Sequence, residues 1–349
     1  MVNLKELFLE RFPGTFFLEK DHPDLLNQYL KKQGWLSADD QVKFLAIPGE
    51  GNMNFVLRVV PVKGRSFIIK QARPWVEKYP QVAAPVERIQ VEKTYYASIQ
   101  ENDFIAQYSP RFLGYDTQSF ILALEDLGQA ADFSFVYQKA QTFKTDQIKK
   151  AINYLNALQK IEPLINYPEN LPLRNLNHQH IFHLPFLMDN GFDLDAVDFG
   201  LQKISEKYKR DEDLKKRINI LGNIYLSSGG TMLHGDFYPG SLLNVDGALF
   251  VIDPEFSFIG PTEWDISIFI AHLFMAQISQ DEIQTAFHLF AKKSSFLSSV
   301  FTGFTGVEIL RRLIGLAQLP LEMDLTEKEA LMDQAVHWIK TGKIDTLNL

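Results

Sequence analysis

The stretch His234-Gly235-Asp236-Phe237-Tyr238-Pro239-Gly240-Ser241, followed downstream by Asp253-Pro254-Glu255, decides the reading of this chain. Between the two lie Leu242 to Asn244 and Ala248 to Ile252, which favour strands and flank the turn sequence Val245-Asp246-Gly247. The order is an acidic loop, a short hairpin and a second acidic segment. Phosphoryl transfer asks for such parts: a carboxylate that orients the proton of an attacking hydroxyl, and oxygen ligands for magnesium. Asp236 is the candidate base. Asp253 and Glu255 stand two apart on a segment read as extended, so both are expected to face one side as metal ligands. A bare His-Gly-Asp is usually only a solvated loop; the ordered succession carries the reading. Further on, Gly260-Pro261 and Glu263-Trp264-Asp265-Ile266 read as a helix start, with Asp265 more a structural brace for the loop than a reacting group.

Upstream, Gly49-Glu50-Gly51-Asn52-Met53-Asn54 joins two expected strands, Val42 to Ile47 and Asn54 to Val60. Glycines in such a turn let backbone N–H groups approach phosphates, although many hairpins hold two glycines for no such purpose. Lys70 shifts the balance. It ends Phe67-Ile68-Ile69-Lys70 on the next strand, where a lysine needs an anion. A nucleotide phosphate would serve, and so would a carboxylate on the following helix, expected from about 86 to 100: Glu92 first, Glu87 as the alternative. Trp75, in Arg73-Pro74-Trp75-Val76, is read either as a stacking surface for an acceptor or ribose, or as plain packing.

These motifs sit in a chain of 349 residues, long enough for two cores. Its apolar and charged shares, 46% and 22%, exclude a disordered or fibrous protein. A net charge of −8 argues against broad binding of nucleic acid or an anionic membrane. The sequence has no cysteine, so disulfides and thiolate metal sites are excluded and a cytoplasmic setting is expected. Charged residues interrupt the first twenty positions, and Ile266 to Ile278 is too short for a bilayer span. A helix is expected at 24–32 and strands continue at 66–71 and 120–124, after which Glu125-Asp126-Leu127-Gly128 reads as a connector. Helical periodicity then dominates, near 145–160, 196–224, 262–278, 280–296, 304–317 and 326–340. The expectation is an α+β chain: a small β-rich lobe over 1–124, a hinge at 125–128 and a larger, mostly helical lobe over 129–349.

Taken in order, glycine turn, strand lysine, helix glutamate, acidic connector, His-Gly-Asp and Asp-x-Glu resemble the kinase-like phosphotransferases of the aminoglycoside phosphotransferase and choline kinase branch. Within it the chain is most similar to the methylthioribose kinase family, over roughly residues 25 to 340. The resemblance rests on Gly49-Glu50-Gly51-Asn52-Met53-Asn54, with its final Asn, on Ile68-Ile69-Lys70-Gln71-Ala72, and on His234 to Ser241, where Gly240-Ser241 replaces the usual metal-binding Asn. It rests further on Asp253-Pro254-Glu255-Phe256 and on the twin-arginine stretch Glu308-Ile309-Leu310-Arg311-Arg312-Leu313-Ile314-Gly315-Leu316-Ala317. The resemblance implies a protein-kinase-like two-lobe fold and an ATP- and Mg2+-dependent small-molecule kinase. ATP would meet Gly49, Gly51, Asn52, Asn54, Lys70 and Glu92, with Glu125, Asp126 and Leu127 offering backbone groups to adenine. Asp253 and Glu255 would hold the metal. Asp236, Arg311, Arg312 and Trp75 would face a small hydroxylated acceptor, methylthioribose or a related ribose.

The arginine pair has a plainer alternative, ion pairs with Glu308 or a neighbouring helix. Two stretches depart from the family. Tyr238-Pro239 stands where a His usually follows the catalytic Asp by two, and Arg174 to Phe186 is only loosely alike. Aminoglycoside, choline and homoserine therefore stay open as acceptor classes, as does a catalytically inactive nucleotide-binding module. His178, His180 and His183 lie in the second stretch, where no nearby acid or cysteine completes a zinc set. Neither nucleic acid nor membrane is an expected partner; a homodimer is compatible with the reading.

Overall fold

Alternation of side chains decides how the N-terminal sheet presents its two faces. In the computed structural model, which describes residues 3–49 and 53–347, five antiparallel strands run in the spatial order Val42–Ala46, Phe55–Pro61, Phe67–Gln71, Ile121–Glu125, Phe112–Asp116. Leu57, Val59, Phe67, Ile69, Ile121 and Ala123 point to one face, where Leu26 and Leu30 of the helix Pro23–Lys32 close a small core. Their neighbours Val56, Arg58, Ile68, Lys70 and Leu124 point to the other and line a cavity. The register makes this face continuous: Val56 pairs with Lys70, Arg58 with Ile68, and Ile68 with Leu124. A period of two thus sets the core-forming residues and the cavity-lining residues on opposite sides of the same strands.

The helix Arg88–Ile99 joins the larger core through Ile89, Tyr95, Tyr96 and Ile99. That core belongs mostly to the helical C-terminal region. At its centre lies the helix Ser298–Ile314, buried at every position from Val300 to Ile314 and flanked by Trp264–Met275 and Leu325–Thr341. A helix covered all round shows little amphipathic periodicity, which explains why its start is misplaced at 304 by sequence alone. The expected helix over 196–224 is two helices, Leu201–Lys209 and Glu212–Leu226, because the Asp211 side chain accepts from the Leu214 N–H and starts a new one. The strand Phe112–Asp116, the small hairpin Trp75–Val76 with Tyr79–Ala83, and the helix Leu171–His178 had no clear sequence signal.

The strand-rich island is set into the helical region. Thr231–Leu233 pairs with Phe258–Gly260, and Leu242–Val245 pairs with Ala248–Val251. Val245 opposite Ala248 leaves a two-residue turn, Asp246 and Gly247, with φ of 50° and 87°. The fold is therefore α+β, with a β-sheet N-terminal region and a helical C-terminal region. Among the described residues no helix is long and apolar enough to cross a membrane.

If the two faces of the sheet divide structure from site, neighbouring isoleucines behave differently. Ile69→Ala, fully buried in the small core, should cost about 2–4 kcal/mol in urea unfolding. Ile68→Ala, half-buried on the cavity face, should cost clearly less. Equal losses would contradict the assignment of faces.

Candidate active site

A cavity of about 460 Å³ opens beside Lys70. Its roof is the sheet face described above, with Pro48 and Gly49 at one end and Glu125 to Gly128 along the side. Its floor is Gly240, Leu243, Ile252 and Asp253 from the island. Apolar walls from both regions with a few charged groups between them form a setting for a flat, partly charged small molecule.

Lys70 Nζ donates to Glu92 Oε1 at 2.8 Å and also contacts Asp253 Oδ1. Glu92 is fully buried and Lys70 nearly so. Burial alone lowers a lysine pKa; Asp253 and Glu92 outweigh it and hold Lys70 well above its ordinary value. The ammonium is thus fixed as a cation facing the cavity. Gly49 lines that cavity too, while Glu50, Gly51 and Asn52 lie outside the described residues.

The connector behaves as an edge of the same cavity. Asp126 pairs with Arg58 Nε at 2.9 Å, and Arg58 also donates to the Gly128 carbonyl. Glu125 is held by Arg111 at 3.2 Å, and Leu127 lines the wall. Arg58 is absent from the sequence-based candidates. Its alternation with Leu57 and Val59 was the available signal, since it puts Arg58 on the Lys70 face.

Three expectations need correcting. The segment that carries Asp253 and Glu255 is a turn and not a strand. Asp253 has φ of 62° and Pro254 starts a 3-10 turn, Pro254–Phe256, so the segment is not extended. The turn leaves the Asp253 side chain half-exposed at the cavity and buries Glu255 against Arg88, whose Nε is 3.2 Å from Glu255 Oε2. Burial pushes Glu255 up to about 8, with Arg88 the leading charge that pulls it back. Asn54, expected at the phosphates, is also used internally: its Nδ2 donates to Glu255 Oε2 at 3.0 Å and its Oδ1 accepts from Arg88 Nε at 3.0 Å. Trp75 is buried beside Phe8, ring centroids 6.3 Å apart, and lines no part of the cavity. Lys70 takes Glu92, the first-named partner, over the alternative Glu87.

The loop at Asp236 is built from backbone hydrogen bonds. Asp265, in the first turn of Trp264–Met275, accepts from the N–H groups of His234 at 2.6 Å and Gly235 at 2.9 Å, and Trp264 Nε1 donates to the Gly235 carbonyl. Gly235 has φ of 89°, and a Cβ there would lie 2.1 Å from the Phe256 carbonyl oxygen, so only glycine fits. His234 Nε2 lies 2.9 Å from the Ile252 carbonyl, tying the loop to the strand that leads into Asp253. Burial pushes His234 down to about 4.

Asp236 itself faces the end of the central helix. Arg312 Nη2 is 3.6 Å and Arg311 Nη2 3.9 Å from Asp236 Oδ1. Burial raises the Asp236 carboxyl and the two guanidiniums lower it, with a net upward shift; Asp253 is near enough for its charge to be felt. Both arginines also bind Glu308, Arg311 through Nε at 2.6 Å and Arg312 through Nε at 2.8 Å. His272 meets Glu308 at 3.0 Å and Tyr137 on its other nitrogen. Tyr238 lies under Arg312, 4.7 Å from guanidinium carbon to ring centroid. Glu308 therefore anchors the pair, as in the plainer reading; Arg312 Nη2 is turned toward Asp236, and Arg311 Nη2, also near Asp236, donates to Glu308 Oε1 at 2.9 Å. His178 packs on Phe182, and His180 senses the charge of Arg311. Among the described residues no group of three His, Cys, Asp or Glu is placed to hold a metal.

No family model matches the chain. Among curated proteins it is 26% identical to a methylthioribose kinase from Bacillus velezensis, over 84% of this chain and 86% of that protein. It is 27% identical to a methylthioribose kinase from Bacillus pumilus, over 77% and 78%. Among solved structures it is similar to a spectinomycin phosphotransferase in complex with ADP and spectinomycin, with a TM-score of 0.52 and 13% identity over 91% of this chain and 98% of that one. An ethanolamine kinase from Plasmodium vivax gives a TM-score of 0.51 at 14% identity, over 99% and 90%. At such identities the structural likeness speaks for the fold.

His234 gives this site a pH signature. Its folded pKa is depressed from 6.5 to about 4, so between those values the unfolded chain binds more protons and stability must fall as pH falls. The contribution is complete above about 6.5 and lost toward 4, roughly 3 kcal/mol in all. In His234→Asn, the slope of unfolding free energy against pH near 5 should flatten by up to about one proton. An unchanged slope would contradict a neutral, buried His234.

Proposed function

We propose that this chain, similar to methylthioribose kinases along most of its length, is a phosphotransferase acting on hydroxyl groups that transfers the γ-phosphate of ATP, with Mg2+, to methylthioribose or a related ribose. One observation carries this reading: Asp236 and Asp253 stand at the two ends of a single hairpin, and Lys70 reaches Asp253 across the cavity. Residues 1–124 form the nucleotide lobe in this reading, 125–128 the hinge, and 129–349 the catalytic and acceptor lobe.

The adenine lies along Glu125 to Leu127, between Ile68 and Leu124 above and Leu243 and Ile252 below. Lys70 meets the phosphates as a cation held in place by Glu92. Asp253, half-exposed at the cavity, would hold a magnesium ion, with Glu255 two residues on as the second candidate ligand, since such ions commonly use one or two carboxylates together with substrate phosphates. The metal supplies charge neutralisation on the phosphates when bound. Asp236 accepts the proton of the acceptor hydroxyl as that oxygen bonds to the γ-phosphorus and the bond to the β-phosphate oxygen breaks, leaving ADP. Its raised pKa suits a group that takes a proton in the reaction. Arg311 and Arg312 offer guanidinium N–H groups beside Asp236, to acceptor hydroxyls or to charge developing on the transferred group. Those donors suit a sugar better than the cationic head of choline or an aminoglycoside.

An ADP-release assay across methylthioribose, ribose analogues, choline, homoserine and kanamycin should favour the thiosugar or a ribose by at least tenfold in kcat/KM. Preference for a cationic acceptor would replace the substrate and leave the kinase. Asp236→Asn should lower kcat at least a thousandfold while ATP affinity changes little; a fully active variant would remove the base.

A further inference from the structure

His272 is a fully buried histidine that the phosphoryl transfer described above does not use, yet both of its ring nitrogens are engaged. Nδ1 lies 2.5 Å from the Tyr137 hydroxyl, and Nε2 lies 3.0 Å from Glu308 Oε1. The surrounding charges fix which way these bonds run. Burial alone raises the Glu308 carboxyl, but Arg311 and Arg312 outweigh it and hold Glu308 well below the usual carboxylate range, so it is an anion that only accepts. Nε2 therefore carries the ring proton. Burial pushes His272 down to about 4, and a third cation beside two guanidiniums would be repelled, so the ring is neutral. Nδ1 is then the acceptor and Tyr137 the donor. A directed chain results, from the Tyr137 O–H to Nδ1, from Nε2–H to Glu308, and so to the arginines that Glu308 holds.

We propose that Tyr137 and His272 are positioning residues for the acceptor site, acting through Glu308 on Arg311 and Arg312. Glu308 Oε1 accepts from His272 Nε2, from Arg311 Nη2 at 2.9 Å and from Arg312 Nε at 2.8 Å, while Oε2 accepts from Arg311 Nε at 2.6 Å. An oxygen shared by three donors is placed by all of them, so losing the imidazole frees the carboxylate to turn and takes both guanidiniums with it. With Nε bound to Glu308, Arg312 presents Nη2 to Asp236 at 3.6 Å. One helix braces both sides of that aspartate. Asp265 and His272 stand seven residues apart on Trp264–Met275 and so share a face. Asp265 shapes the loop that carries Asp236, and His272 fixes the arginines that face it. Tyr238 lies between the two, its ring centroid 5.1 Å from that of His272 and 4.7 Å from the Arg312 guanidinium carbon. Tyr137 ends the 3-10 turn Phe133–Tyr137, which follows directly on Ala131 and Asp132 of the cavity wall. An apolar side chain at position 272 would fill the same core; a ring that donates on one side and accepts on the other is what a link to a buried anion requires.

This inference rests on the proposal that the arginines face the acceptor, and the experiment separates the two. Initial rates are measured on the full chain with ATP and methylthioribose, or the ribose that the ADP-release assay prefers. His272→Leu should lower kcat/KM for the sugar roughly tenfold or more and leave KM for ATP within about threefold. His272→Gln, whose amide can donate to Glu308 and accept from Tyr137, should recover most of that loss. An unaffected His272→Leu, an equal rise in both KM values, or no recovery in His272→Gln overturns the positioning role. Arg312→Met with full activity toward the sugar overturns the acceptor reading instead. Should His272→Leu not accumulate as folded protein, Tyr137→Phe, which removes a single hydroxyl, takes its place with a smaller loss in the same direction. A second measurement needs no substrate: 15N NMR of the natural chain, with the His272 signals identified by their loss in His272→Gln. A neutral ring protonated at Nε2 is expected near pH 7; a ring protonated at Nδ1, or at both nitrogens, overturns the chain.

Discussion

The bridge from Lys70 to Glu92 and Asp253 is the interaction on which the rest depends. It joins a strand of the sheet, the helix Arg88–Ile99 and the turn after the island hairpin at a single ammonium group. A charged lysine so little exposed is stable only because both carboxylates are present; removing one leaves an uncompensated charge, at a cost of about 3–5 kcal/mol. The sheet face, the glutamate helix and the catalytic turn therefore cannot be placed independently. Arg88, one helical turn before Glu92, makes a second buried contact to the same turn, with Glu255 as its partner. Two buried cations, Lys70 on the strand and Arg88 on the helix, thus hold the N-terminal region against the Asp-Pro-Glu turn.

The acceptor side is organised differently. Its charges come from the end of one central helix, and a shared glutamate, Glu308, keeps two adjacent guanidiniums from repelling each other. His272 and Tyr137 extend this support away from the site. Asp236 is then presented to the arginines by a loop whose shape comes from Gly235 and from Asp265 beneath it. Lys70, Arg311 and Arg312 each have a buried glutamate behind them, which is how like charges can be kept in a fixed geometry.

Much of this was legible in the sequence because it depends on local pattern. Alternation around Ile69 and Lys70 placed the lysine, the Asp246-Gly247 turn closed the hairpin, and Asp265 in a first helical turn announced its bracing role. What failed depended on long-range packing. Trp75 reads equally well as a stacking surface or a core residue until Phe8, 67 positions earlier in sequence, is seen beside it. The stretch 253–255 reads as extended until Asp253, at φ of 62°, makes it a turn in which Glu255 meets Arg88. Asn54 and Arg88 were opaque because their partners lie about 200 and 167 positions away, in contacts that no periodicity encodes.

The central claim is that Lys70, fixed by its two carboxylates, is the cation that receives the triphosphate. Isothermal titration of Lys70→Met with Mg-ATP tests it most directly, alongside circular dichroism to establish that the fold is kept. The account predicts a folded protein with affinity weakened at least tenfold, about 1.4 kcal/mol or more. A folded Lys70→Met that binds Mg-ATP as tightly as the natural chain would contradict it.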